Sequence, residues 1–133
     1  MKNKVSIPIN DEFDIVIARQ KGREMAKDLG FATIDLALVA TAISELTRNI
    51  ITYAQKGTIF LELVENQGKK GILVISKDDG PGIENIELAL QDGYSTTQSL
   101  GLGLPGVRRL MDDFEIQSEL GKGTTVIATK WIS

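Results

Sequence analysis

The sequence predicts an α+β protein, a two-layer sandwich with helices packed on one face of a mixed, largely antiparallel sheet. Three observations lead there. Segments with strand periodicity come in pairs around tight glycine turns, near Gly68 and again near Gly121. Two long segments with helical periodicity stand next to each other before the first of these pairs. No regular strand–helix–strand alternation, the signature of a parallel doubly wound sheet, runs through the chain.

The elements follow in order. Val5, Ile7 and Ile9 alternate with Lys4, Ser6 and Pro8, which suggests a short first strand. Pro8 lacks an N–H, so this strand belongs at a sheet edge. Asn10 or Asp11 can cap a helix that runs to about Leu29 and stops at Gly30. Its apolar stripe is Ile15, Ala18, Gly22, Met25, Ala26 and Leu29. Thr33 can cap a longer helix reaching Tyr53 or Ala54, with Leu36, Val39, Ala40, Ile43, Leu46, Ile50 and Tyr53 on one buried face. Thr58 to Glu65 and Ile72 to Asp78 form a hairpin about a turn at Gly68-Lys69-Lys70-Gly71. Residues 83–90 can form a short helix. Residues 93–104 show no period and are rich in Gly, Ser, Thr and Gln, so they form a loop. Pro105 suits the first turn of a further helix ending near Asp113. Phe114 to Glu119 and Thr124 to Ile132 form the last hairpin.

The composition limits the chemistry. At 133 residues the chain is expected to be one domain, 1–133, with one core. A net charge of -3 argues against a nucleic-acid footprint. With no Cys and no His, thiolate, disulfide and imidazole chemistry are excluded. A catalytic base must be a carboxylate, Lys or Tyr. A metal must be a hard, oxygen-bound ion such as magnesium. No signal peptide and no apolar run of about 20 residues is present, so the chain reads as cytoplasmic and not membrane-bound.

Four motifs carry chemistry. Thr41, Glu45, Arg48, Asn49 and Thr52 form a polar stripe on the second helix, with Glu45 and Asn49 one turn apart. Asn49 offers a neutral oxygen to magnesium, and Glu45 a carboxylate able to accept a proton. Asp78-Asp79-Gly80-Pro81-Gly82-Ile83 closes a strand whose alternate residues Ile72, Val74, Ser76 and Asp78 share the core face. Asp78 then needs a donor, and the exocyclic amine of adenine is one. Gly80 and Gly82 let backbone approach a flat ligand. The segment from Gly93 through Ser95, Thr96, Gly101, Leu102, Gly103 and Leu104 leads into a helix N-terminus, an arrangement that presents N–H groups and hydroxyls to phosphates. It lacks the Gly-Lys-Ser/Thr of a P-loop. Gly121-Lys122-Gly123-Thr124 is a hairpin turn whose Thr124 hydroxyl can reach a ligand. Taken singly, each motif also fits a solvated helix face, a turn or a connecting loop.

In this order, the four together resemble the GHKL, or Bergerat-fold, ATP-binding family. Glu45-Leu46-Thr47-Arg48-Asn49 looks like its N box, Asp78-x-Gly80-x-Gly82 like its first glycine box, Gly101-x-Gly103-Leu104 like its second and Gly123-Thr124 like its last. The resemblance implies ATP and magnesium as cofactors. It also implies that Glu45 is the general base, that Asn49 is the metal ligand, and that residues 93–104 are a lid over the nucleotide. The chain has neither dimerisation helices nor a phosphoacceptor His, so it is most similar to the family's small serine kinases that control bacterial sigma factors. These imply a STAS-domain antagonist or stressosome-like scaffold as substrate and a PP2C-type phosphatase as activation target. The alternative is an anti-sigma factor with serine kinase activity. Anti-sigma kinases usually carry Ala after the Asn and a His nearby. Here Ile50 follows Asn49 and His is absent, which favours the switch kinase.

Overall fold

A computed structural model describes residues 4–83, 90 and 103–132. The order is β1 (Lys4–Ile9), α1 (Phe13–Leu29), α2 (Thr33–Asn49), a π-helical turn (Ile50–Ala54), β2 (Gly57–Asn66), β3 (Lys69–Asp78), α3 (Gly103–Leu110), β4 (Asp113–Glu119) and β5 (Gly123–Trp131). The five strands form one sheet in the order β1-β2-β3-β5-β4. The pairing, expected to be mixed and largely antiparallel, is antiparallel at every described junction. The expected edge position of Pro8 holds, because among the described residues β1 pairs only with β2.

The N-cap of helix α1 is Glu12 rather than Asn10 or Asp11 and makes no side-chain cap bond, because local carboxylates already take the N–H groups around it. Asp11 Oδ1 accepts the Phe13 N–H at 2.9 Å, and Asp14 Oδ2 accepts the Asn10 N–H at 2.8 Å. It ends at Gly30, whose φ of 111° lets its N–H close on the Ala26 and Lys27 carbonyls. Its expected stripe is the one buried: Ile15, Ala18, Gly22, Met25 and Ala26. Gly22 sits where α1 crosses α2, and a Cβ there would collide with Ile43 Cδ1.

Helix α2 is the central helix of the core. Leu36, Val39, Ile43 and Leu46 are buried against Ile59 and Leu61 of β2 and Ile72 and Val74 of β3. Each such aliphatic chain withdrawn from water contributes about 1.5–3 kcal/mol. Three expectations for this helix change. Thr33 is its first helical residue rather than its cap. After Asn49 the winding loosens into the π turn, which the pattern of residues did not signal. The extra residue per turn brings Ile50 into the core and leaves Tyr53 46% exposed instead of buried. The chain leaves this turn at Gln55, whose φ is 71°.

The first hairpin turns at Gln67-Gly68, both at positive φ, with Asn66 opposite Lys69. Lys69 to Gly71 therefore extend β3 rather than forming the turn, as two-residue hairpin geometry requires. Gly103 and Leu104 belong to α3 rather than to a preceding loop, and α3 ends at Leu110, ahead of Asp113, which opens β4. The helix expected over 83–90 and the rest of the loop expected over 93–104 lie outside the described residues, apart from Ile83 and Leu90 at the ends of the first.

Candidate active site

The site grows from α2 and the adjoining ends of β3, β4 and β5. In α2 two buried hydroxyls bond back along the helix, Ser44 Oγ to the Ala40 carbonyl at 2.9 Å and Thr47 Oγ1 to the Ile43 carbonyl at 2.6 Å. Glu45 stands between them and is 2% exposed, far from the solvated helix face on which a lone Glu usually lies. A carboxylate withdrawn from water needs donors, and among the described residues Glu45 has two. Oε1 accepts from Arg48 Nη1 at 2.9 Å, and Oε2 accepts from the Gly103 N–H at 3.2 Å. Gly103, at φ 46°, is the first residue of α3. Thus the first and third expected motifs meet directly. Thr52, at the far end of the expected polar stripe, is exposed, and Asn49 is half-buried at the end of α2.

The π turn links this group to the Asp78 loop. A Cβ on Gly80 would come within 2.6 Å of Ala54 Cβ, and one on Gly57 would come within 2.9 Å of Ile50 Cγ2 and 3.1 Å of Asp78 Cβ. The two glycines allow the end of the helix to lie against the end of β3.

Asp78 ends β3, the middle strand, opposite Gly57 on one side and Thr124 on the other. Its Oδ1 accepts the Gly80 N–H at 2.9 Å. Burial pushes its pKa above the usual 3.8; hydrogen bonds from the Gly80 and Thr124 backbones oppose that rise, and the neighbouring Asp79 charge adds to it. Asp79 is exposed.

The loop after Asp78 is fastened to the last hairpin. Gly82, at φ 79°, leaves room for the Glu119 carbonyl, and Gly123, at φ 95°, for the Asp78 carbonyl. The Gly121 N–H donates to the Pro81 carbonyl at 2.8 Å. Ser118 is the connecting side chain. Its Oγ accepts the Ile83 N–H at 2.7 Å, lies 2.9 Å from the Thr124 hydroxyl and donates to the Gly123 carbonyl at 3.1 Å. The Thr124 hydroxyl, expected to face a ligand, is engaged with Ser118.

Asp78, Gly80, Gly82, Ile83 and Thr124 therefore form one cluster, and Glu45 and Gly103 a second. Leu104 is half-buried and packs against the core from α3. Ser95, Thr96, Gly101 and Leu102 lie outside the described residues. Arg48 and Ser118 are the two members with no role expected from the sequence. Ser118 was legible only as one member of an alternating strand, and nothing local marks it as a bridge.

A magnesium site can be tested against these donors. Among the described residues no group of three or more acidic side chains is placed to hold a metal. Asn49 supplies one neutral oxygen. That set fits an ion completed by phosphates and water, which is how magnesium usually binds.

Comparison with known proteins gives the family. Residues 34–132 match the family described as histidine kinase-, DNA gyrase B-, and HSP90-like ATPase. The chain belongs to that family, and its nucleotide is ATP. Among its relatives is the serine/threonine-protein kinase RsbT of Bacillus subtilis (strain 168), 52% identical over 132 residues, which are 99% of each chain. The anti-sigma F factor of Geobacillus sp. (strain WCH70) is 33% identical over 106 residues, covering 74% of this chain and 71% of its own. The anti-sigma F factor of Thermoanaerobacter sp. (strain X514) is 36% identical over 104 residues, with the same coverage.

Proposed function

We propose that this chain is a single-domain serine/threonine-protein kinase of a partner switch, acting in the cytoplasm on a STAS-domain protein. The kinase activity follows from family membership together with full-length identity to a serine/threonine-protein kinase. In the reaction a serine or threonine oxygen of the substrate bonds to the γ-phosphorus of ATP. The bond to the β,γ-bridging oxygen breaks, ADP leaves, and the hydroxyl proton passes to Glu45. The single observation that carries this assignment is the buried Glu45 carboxylate bonded to the start of α3, where a glycine segment meets a helix N-terminus.

Asp78 accepts the adenine amine, and Gly80 and Gly82 seat the loop that carries Ile83 toward the base against Ala54 and the Glu119 carbonyl. Asn49 holds magnesium, which neutralises phosphate charge when bound. Gly101, Leu102, Gly103 and Leu104, with Ser95 and Thr96, cover the phosphates. Thr124 supports the site through Ser118 and the Asp78 carboxylate. Release from the STAS-domain partner, or from a stressosome-like scaffold built of such domains, frees the kinase to activate a PP2C-type phosphatase.

The alternative is an anti-sigma factor that phosphorylates its antagonist. The anti-sigma F relatives align with about three quarters of the chain, at lower identity than the full-length kinase, and this supports the switch reading. Incubation with labelled ATP, magnesium and a STAS-domain protein tests the proposal. Label on serine or threonine of that protein is expected, and no transfer to it removes the substrate assignment. Co-purification with a sigma factor but not with a PP2C-type phosphatase selects the alternative.

A further inference from the structure

We infer that Arg48 is a positioning residue for phosphoryl transfer, holding the Glu45 carboxylate so that Oε2 faces the N-terminus of α3. The inference rests on the reading of Glu45 as base and adds to it the means by which that base is aimed. A Glu side chain has three torsions to fix, and Glu45 is 2% exposed in a part of α2 otherwise lined by Ile43, Leu46 and Thr47. The apolar neighbours give contact without direction, and among the described residues two donors, Arg48 and the Gly103 N–H, orient the carboxylate. The Arg48 guanidinium supplies that orientation from one turn along the same helix, at 2.9 Å from Oε1. A carboxylate has about four lone-pair sites. Arg48 takes one on Oε1, and the Gly103 N–H takes one on Oε2 at the longer distance of 3.2 Å. Oε2 is thus the less firmly held oxygen, it lies toward the second glycine segment, and it keeps a lone pair for a proton.

The arrangement divides the labour by exposure. Glu45 is nearly sealed, whereas the Arg48 side chain is 40% exposed. Arg48 therefore holds the base from the solvent side through Oε1 and leaves Oε2 to the Gly103 N–H. A lysine at position 48 would keep the charge and lose the planar fork that fixes direction.

The test is phosphotransfer to a STAS-domain protein at saturating ATP, with nucleotide affinity measured separately by calorimetry, for Arg48→Ala, Arg48→Lys, Glu45→Gln and the double variant Glu45→Gln/Arg48→Ala. A misaimed group costs up to about 100-fold. We expect Arg48→Ala to lower kcat roughly 10- to 100-fold with ATP affinity within error of wild type, and Arg48→Lys to recover part of that loss. Arg48→Ala should add nothing in the Glu45→Gln background. Wild-type kcat in Arg48→Ala, together with a large loss in Glu45→Gln, overturns the inference and leaves the base assignment standing. A parallel loss of ATP affinity in Arg48→Ala also overturns it, by making the residue merely structural. Unimpaired transfer by Glu45→Gln removes the base assignment itself.

Discussion

Gly82 and Glu119 touch through their backbones: at φ 79°, Gly82 leaves no room for a Cβ beside the Glu119 carbonyl. The contact ties the loop after Asp78 to the turn of the last hairpin. Gly82→Ala faces both a left-handed conformation and a backbone clash. Strain of this type costs about 1–3 kcal/mol. We expect the variant to melt at least roughly 3 °C below wild type and to lose ATP affinity. A melting curve and a calorimetric titration check both, and wild-type values in both would show that the loop moves independently of the hairpin.

Asp78 links pH to both stability and binding. Its folded pKa lies above the ordinary 3.8, mainly through burial. The folded state therefore holds the proton more tightly than the unfolded chain does. The stability this contributes is fully present below 3.8 and is lost as pH rises through the folded value. Asp78→Asn removes that loss. Melting curves across this range should show the variant gaining on wild type as pH rises toward neutrality. ATP affinity should run the other way in wild type, weakening as acidification protonates Asp78. In Asp78→Asn ATP affinity should be lost throughout, and unchanged affinity by calorimetry would refute the adenine contact.

Glu45→Gln keeps an oxygen for Arg48 or Gly103 and gives up proton acceptance. Loss of a general base typically lowers the rate by about 10²–10⁴-fold. The variant should bind ATP normally and lose transfer on that scale in a labelled-phosphate assay.

Asn49→Ala should affect the metal rather than the base pocket. We expect magnesium-dependent tightening of ATP binding to disappear while the smaller, metal-free affinity persists. Calorimetry with and without magnesium separates the two, and retained magnesium dependence would rule out Asn49 as a ligand.

Much of the fold could be read from the chain because its rules are local. The stripe of α1, the left-handed stop at Gly30 and the alternation in β3 each depend on near neighbours. The same holds for the placement of Asp78 at the end of a core-facing row. The misreadings occur where tertiary contact decides. Tyr53 fits the apolar face of an uninterrupted helix, but the π turn rotates it outward, and nothing in residues 50–54 announces that change. Gly103 looks like loop by composition, yet it opens a helix and bonds a carboxylate 58 residues earlier in the chain. Ser118 is ordinary in its strand and becomes a bridge only because Ile83 and Thr124 arrive beside it.

The π turn also has a bearing on how length can vary in this chain. It holds one residue more than an α-helical turn would. Removing any one of residues 50–53 would wind the helix end back to ordinary pitch and swing Ala54 away from Gly80. A one-residue deletion there is then equivalent to rotating the Asp78 loop relative to Asn49, so tolerance to deletion at this point is set by angle, not by the reach of the connection.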